Sequence, residues 1–457
     1  MADQRGAALN FAHQNASLFL KKLCDFLSIP SVSTDPDHVK DMEIAAHWVA
    51  RELTDMGFTN IAIFPTQKHP VVFGEKLDAG PTAPTVLVYG HYDVQPAEPL
   101  NLWETEPFKA TRGGDNLYAR GASDMKGQII ASLSAVRSAL STGKLPINLK
   151  YIVEGEEEIG SPNLAQFLKD HKDLLACSFA LNPDSGMISA DTPTIVYALR
   201  GLAYFELRVV GPSHDLHSGM YGGVVHNPAI VLADLVSGMH DANGRITLPG
   251  FYNQVKNLSE EERLALSRLP MDENYYMKIT GAPHLWGETG YSPVERVGAR
   301  PTLDVNGMLS GFTGSGSKTV IPSSAMAKIS MRLVPDQDPE AVHRQLIQYL
   351  TERAPQSVKW ELISMAGGPA SITDIHQPGI KALSLGLEAV WGKPPLFKRE
   401  GGSIPVVADM QNILGIDSVL TGFGLPDDNL HAPNEKLHLP TWYHGIDALI
   451  HFIYNLA

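Results

Sequence analysis

Four short apolar runs in this sequence are each followed by residues that can bind a cation or move a proton. Thr85 to Tyr89 (TVLVY) runs into Gly90-His91-Tyr92-Asp93, and Asn148 to Val153 (NLKYIV) into Glu154-Gly155-Glu156-Glu157-Glu158. Ser178 to Leu181 (SFAL) precedes Asn182-Pro183-Asp184, and Asp417 to Thr421 (DSVLT) is followed after a short loop by His431. A fifth group, Asp124, stands just before a helical stretch from Lys126 to Leu140. Two imidazoles with three carboxylates suit zinc or manganese, and one carboxylate can bridge two ions about 3.5–4 Å apart. The direct inference is a two-metal hydrolase. Taken singly, each signal has a bland reading: a chance His-x-Asp in a chain of 17 His, a solvated Glu run, an Asp helix cap. Their recurrence after apolar runs carries the argument.

Those runs are short and rich in β-formers, as expected of strands buried on both faces. Their alternation with helices predicts an α/β layer with a mostly parallel sheet and helices on both faces, which collects functional groups outside the carboxyl ends of its strands. Helical spacing also marks Leu18 to Leu27 and Met42 to Leu53, the latter with Asp41 as its expected cap. A different texture begins near Arg200. Ala203 to Val210 and Ala325 to Val334 alternate apolar with polar residues like half-exposed antiparallel strands, with helices expected at Asn227 to His240 and Pro339 to Arg353. Residues 243–300 read as irregular. The α/β texture resumes after Gly367-Gly368-Pro369, with a helix expected from Gly379 to Val390. The expected organisation is thus a discontinuous catalytic domain (1–200 and 368–457) with an inserted α+β domain (201–367).

Composition narrows the partners. The chain has 457 residues, 44% hydrophobic and 19% charged, which is ordinary globular usage. Subtracting 50 acidic from 36 basic residues gives −14, so the basic excess that attracts nucleic acid or anionic lipid is missing. Neither partner is expected. Cys24 and Cys177 have no zinc-finger spacing, and no apolar run approaches the roughly 18 residues of a membrane span. The expectation is a cytoplasmic protein.

The segments GHYDV, ARGASDMKG, EGEEEIGS and LHAPNEKL resemble those of the co-catalytic zinc exopeptidases, a family that includes carnosine-type dipeptidases, glutamate carboxypeptidases, acetylornithine deacetylase and aminoacylase. Further stretches, DLHSGMYGG, GSKTVIP, ISMRLVPDQDPE and REGGSIP, are most similar to the cytosolic nonspecific and carnosine dipeptidase branch. The resemblance implies two zinc or manganese ions per subunit, one held by His91, Asp124 and Asp184, the other by Asp124, Glu158 and His431. It implies Glu157 as general base on a metal-bridging water, Asp93 as the group orienting His91, and a cis peptide between Asp124 and Met125. His217 matches the histidine that reaches the partner subunit's site to stabilise the oxyanion, so a homodimer formed through the inserted lid domain is implied. Arg332 matches the arginine that grips a substrate carboxylate, a task for a planar bidentate donor. Thr319 and Ser403 are further candidates for contacting the peptide backbone.

These features predict a metal-dependent exopeptidase acting on dipeptides or short peptides with a free carboxylate. An N-acyl amino acid amidohydrolase would share the metal site and the carboxylate grip, and differs only in lacking a pocket for a free α-amine. A catalytically silent binding protein is disfavoured because every ligand and the base are present. Two details complete the reading. Gly311 to Thr319 (GFTGSGSKT) fails as a phosphate loop, because Lys318 does not directly follow Gly316 and the stretch leads into a strand. Ala366 stands where carnosine-type enzymes commonly carry His before the Gly pair, which weakens the expectation of carnosine-like specificity.

Overall fold

The computed structural model describes residues 2–402 and 404–457. The chain divides into two compact units. The first comprises the residues up to Tyr197, Thr373–Phe397 and Pro405–Ala457; the second comprises Ala198–Ile372 and Lys398–Ile404.

In the first unit the four apolar runs become the strands β3 (Thr85–His91), β4 (Asn148–Glu154), β5 (Phe179–Asn182) and β7 (Ser418–Leu420), joined by β1 (Thr59–Phe64), β2 (Val71–Lys76) and β6 (Thr194–Leu199), whose last two residues fall in the second unit. They lie in the order β1-β2-β4-β3-β5-β7-β6. The central pairings β4–β3, β3–β5 and β5–β7 are parallel. The flanking pairings β1–β2, β2–β4 and β7–β6 are antiparallel. Every residue of β4, β5, β6 and β7 is buried, which is why these runs carry no polar alternation. Each fully buried Val, Leu, Ile or Phe contributes about 1.5–3 kcal/mol of transfer free energy. The helix Lys126–Leu140 is enclosed almost all round, and Trp442, from the terminal helix Leu439–Asn455, donates its indole N–H to the Gly127 carbonyl at 2.7 Å.

One cap differs from expectation. The third helix starts at Val39 with no side-chain cap, and Asp41 lies inside its first turn, where its carboxylate bonds His38 Nδ1 at 2.7 Å.

The second unit is built on a four-stranded antiparallel sheet in the order Thr302–Ser310, Ser324–Leu333, Gly201–Val210, Lys359–Gly368. Burial alternates residue by residue along Ser324–Leu333, as a sheet with one packed face requires. On that face Phe205, Leu207, Ile329 and Met331 join Leu232 and Leu346 from the helices Pro228–Ser237 and Pro339–Arg353. The first of these helices ends three residues before the expected His240.

Residues 243–300 are not irregular throughout. They contain the helices Glu260–Leu266, Glu273–Thr280 and Pro293–Ala299, capped by Ser259, Asp272 and Ser292. Helices this short gain too little from propensity to stand alone, so no long apolar period marks them. The Ser-x-x-Glu pattern of a capping box, at Ser259…Glu262 and Ser292…Glu295, was the local signal for two of them.

Candidate metal centre

His91 is the last residue of β3 and is fully buried. Its Nδ1 donates to the Asp93 carbonyl at 3.1 Å, with Asp93 Oδ1 at 3.4 Å. This leaves the Nε2 lone pair pointing outward. Nε2 lies 3.2 Å from Asp124 Oδ1 and 3.9 Å from Asp184 Oδ2 without an aligned hydrogen bond to either. On the opposite side of the same carboxylate, His431 Nε2 sits 3.0 Å from Asp124 Oδ2 and 3.3 Å from Glu158 Oε2. Asp124 therefore offers one oxygen to each imidazole.

Two groups of potential ligands result, His91–Asp124–Asp184 and Asp124–Glu158–His431, each with its ligand atoms within 4.8 Å of one another. The donor chemistry fits divalent cations. Burial opposes the charge on Asp124, but the His431 and His91 rings beside it outweigh that and hold the carboxyl well below the usual range. Hydrogen bonds that the protonated ring donates to Asp124 and Glu158 push His431 up to about 10. Asp184 is raised to about 7, chiefly by burial, with Asp124 and Glu158 adding to it against His91. Crowded carboxylates draw protons onto their neighbours, and a divalent cation supplies the same positive charge in their place.

Local structure explains how these groups are delivered. Glu157 and Glu158 form the short turn Glu157–Ile159 just beyond β4, and their backbone N–H groups donate to Asp93 Oδ1 (3.3 Å) and Oδ2 (3.0 Å). The Asp93 carboxylate thus fixes that turn, while its carbonyl takes the stronger bond from His91. Glu156, first of the Glu run, is buried and accepts from the His69 N–H, Asn163 and Thr66, so this run is not a solvated face. Burial is the main reason Glu157 is raised to about 9; Asp184, Glu158 and Asp124 add to the rise and His91 opposes it.

The Asp184 N–H donates to Asn182 Oδ1 at 2.9 Å, and Gln95 Nε2 donates to Glu158 Oε2 at 2.8 Å. Gly121 turns the chain ahead of Asp124 at φ +82°, where a Cβ would lie 2.6 Å from Val94. The peptide between Asp124 and Met125 is cis. Lys126 then opens its helix with Nζ buried, donating to the Phe26 and Ile29 carbonyls at 3.2 and 2.6 Å.

Of the remaining sequence candidates, His217, Thr319 and Arg332 belong to the second unit. His217 is exposed; it pairs with Val320 across a two-residue ladder, and the Ser218 N–H donates to the Thr319 carbonyl at 3.1 Å. That ladder makes His217 and Thr319 neighbours. His217 Nδ1 accepts from the Gly219 N–H at 2.9 Å, so the neutral ring carries its proton on Nε2. Arg332 is half-buried on another strand, Ser324–Leu333, opposite Leu202. Ser403 lies outside the described residues. Ala366 sits on Lys359–Gly368, opposite Tyr204 and beside a register shift. Sequence reasoning missed Gln95, Asn182, Arg120 and Glu435. The last two lie within ARGASDMKG and LHAPNEKL, but neither follows an apolar run directly.

Among the described residues no helix is long and apolar enough to cross a membrane. The sequence pattern of peptidase family M20/M25/M40 matches residues 87–455. The chain is 31% identical to a Cys-Gly metallodipeptidase of Candida albicans, over 94% of this chain and 93% of the relative. It is 30% identical to the human Beta-Ala-His dipeptidase, over 96% and 90%. Among solved structures, a family M20 metallo-carboxypeptidase of Sulfolobus solfataricus superposes with a TM-score of 0.84 at 33% identity, covering 96% of this chain and 99% of that one. With a cluster suited to divalent cations at its strand ends, the chain belongs to peptidase family M20/M25/M40 and is a metal-dependent peptidase.

Proposed function

We propose that the protein is a dinuclear metallodipeptidase whose substrates carry a free C-terminal carboxylate. The observation that carries this reading is the shared Asp124 carboxylate, one oxygen facing each His. The relatives named for Cys-Gly and Beta-Ala-His cleavage support the substrate class. His91, Asp124 and Asp184 would hold one ion and Asp124, Glu158 and His431 the other, zinc in the first place and manganese as the alternative. Such ions, when bound, polarise a carbonyl and make water acidic enough to deprotonate near neutral pH.

Glu157 accepts the proton of the attacking water and returns it to the leaving amine as the C–N bond breaks. Burial holds this carboxyl above the usual range, and divalent cations bound beside it would lower it toward the working pH, where one carboxyl can serve both steps. His217 directs its Nε2–H at the developing oxyanion in a partner subunit's site, Arg332 grips the substrate carboxylate, and Thr319 and Ser403 contact the peptide backbone. The free thiols of Cys24 and Cys177 fit a reducing cytoplasm.

The test is a panel of Cys-Gly, β-Ala-His, tripeptides, N-acetyl amino acids and C-amidated dipeptides with metal-loaded enzyme. Free dipeptides should lead, with β-Ala-His behind Cys-Gly because of Ala366. Amidation removes charge-assisted hydrogen bonds worth about 1.5–3 kcal/mol, so kcat/KM should fall roughly 10- to 150-fold, and Arg332→Ala should show a similar loss with free dipeptides. Faster turnover of N-acetyl amino acids would replace the dipeptidase reading with the amidohydrolase one. Equal kcat/KM for amidated and free dipeptides would remove Arg332 from the grip.

The dimer is proposed through the second unit. Its outer strand Thr302–Ser310 exposes Val305, Met308 and Leu309, an unpaired apolar edge of the kind that pairs with a symmetry mate. If His217 serves the partner's site, inactive His217→Ala and Glu157→Gln chains should complement when mixed and allowed to exchange. Random pairing of equal amounts makes half the dimers mixed, each with one intact site, so about a quarter of wild-type activity should return. No recovery despite verified exchange would return His217 to its own subunit or remove it from catalysis.

A further inference from the structure

Glu435 is buried to 1% exposure and accepts four hydrogen bonds from one stretch of chain. Oε2 takes Arg120 Nη1 and the Gly121 N–H, both at 2.8 Å; Oε1 takes the Ser123 N–H at 3.0 Å and the Asp124 N–H at 3.1 Å. Three of these donors are backbone amides of the turn that presents Asp124, gathered around one carboxylate as in an anion-binding nest.

Its neighbours extend the tie. Asp428 Oδ2 accepts from Ser123 Oγ and the Leu425 N–H, both at 2.8 Å, and Oδ1 accepts from Lys436 Nζ at 3.0 Å. The Ala119 N–H donates to the Glu435 carbonyl at 3.1 Å, and Lys436 pairs with Tyr118. Between these anchors Asn429, His431 and Asn434 all hold positive φ, a conformation that non-glycine residues keep only where surrounding contacts enforce it. Arg120 reaches a third segment: its Nη2 donates to the Pro96 carbonyl at 3.1 Å, next to the Gln95 that holds Glu158. The segments that deliver Asp124 and His431 therefore meet at the Glu435–Arg120 pair, and Glu158 is reached indirectly, through the Gln95 that precedes Pro96. His91 closes β3 and Asp184 lies just past β5, and the bonds that orient them run to Asp93 and Asn182.

We propose that Glu435 is a positioning residue that pre-organises the Asp124–Glu158–His431 group, and thereby the affinity of the ion held there, without itself touching substrate or metal. The proposal rests on the two-ion reading above. In Glu435→Gln one carboxylate oxygen becomes an amide nitrogen that faces donors, so one half of the nest is repelled while size is kept.

The test is calorimetric titration of metal-free protein with zinc, alongside thermal unfolding of the same samples. The ion at Asp124–Glu158–His431 should weaken on the order of 10–100-fold, the range expected when a partner behind a ligand is lost, and the other by a smaller factor, because Asp124 serves both groups. Excess zinc should restore kcat with KM unchanged. Wild-type affinity for both ions in a folded variant, or equal weakening of both, would overturn the proposal. If Glu435→Gln does not fold, Asp428→Asn carries the same test: the same ion should weaken more than the other, by a smaller factor than for Glu435→Gln, and unchanged binding overturns it. A wild-type titration with only one ion refutes the two-ion reading and not the clamp, which then requires that ion to weaken.

Discussion

Glu157→Gln should keep its full complement of metal and lose turnover roughly a hundred- to ten-thousand-fold, the range that general acid–base catalysis supplies. The substitution preserves the side chain's size and the backbone bond from the Glu157 N–H to Asp93 Oδ1. It also leaves intact both groups of potential ligands, neither of which contains Glu157. What it removes is a carboxylate raised to about 9, mainly by burial, which can take up and release a proton where an amide cannot. The measurement pairs elemental analysis with kcat on a free dipeptide. Wild-type-like kcat with two bound ions would end the assignment of Glu157 as base. Loss of metal in parallel with activity would instead make it a ligand.

Asp124→Ala should lower occupancy of both ions together. Its two oxygens lie 3.2 Å from the His91 ring and 3.0 Å from the His431 ring, and among the described residues no other side chain belongs to both groups. Removing it leaves His91 with Asp184 and His431 with Glu158, two ligands apiece, short of the three protein ligands usual for a catalytic zinc. Elemental analysis of dialysed protein should find both ions depleted and activity lost with them. Retention of one ion at wild-type affinity would show that Asp124 belongs to a single site. Thermal unfolding of the metal-free variant separates this outcome from misfolding, because loss of binding is informative only in a folded chain.

Much of this was legible before any coordinates. His91, Glu158, Asp184 and His431 could be grouped because each follows an apolar run too uniform to be a half-exposed strand, and parallel sheets place such endings along one edge. That inference needs only local pattern and a general rule of topology. The proposed roles of Glu157 as the base and of His217 and Arg332 as substrate-directed residues rest instead on resemblance in longer motifs, since no spacing distinguishes the second Glu of a run from the third.

Other features lay beyond local pattern. Asp41 has the chemistry of a cap, yet it fell inside its helix and bonded His38, because the helix start is set by how that segment packs. The short helices between 243 and 300 form with support that propensity does not supply. Glu435 and Arg120 show the limit most clearly: they are 315 positions apart, and nothing near either one announces a four-donor nest. Strand endings and ligand types are written residue by residue, whereas a hydrogen bond between distant segments exists only once the chain has closed the loop between them. Which oxygen of Asp124 faces which histidine, and what holds that turn in place, were decided by tertiary structure, because the partners are supplied by folding rather than by sequence neighbours.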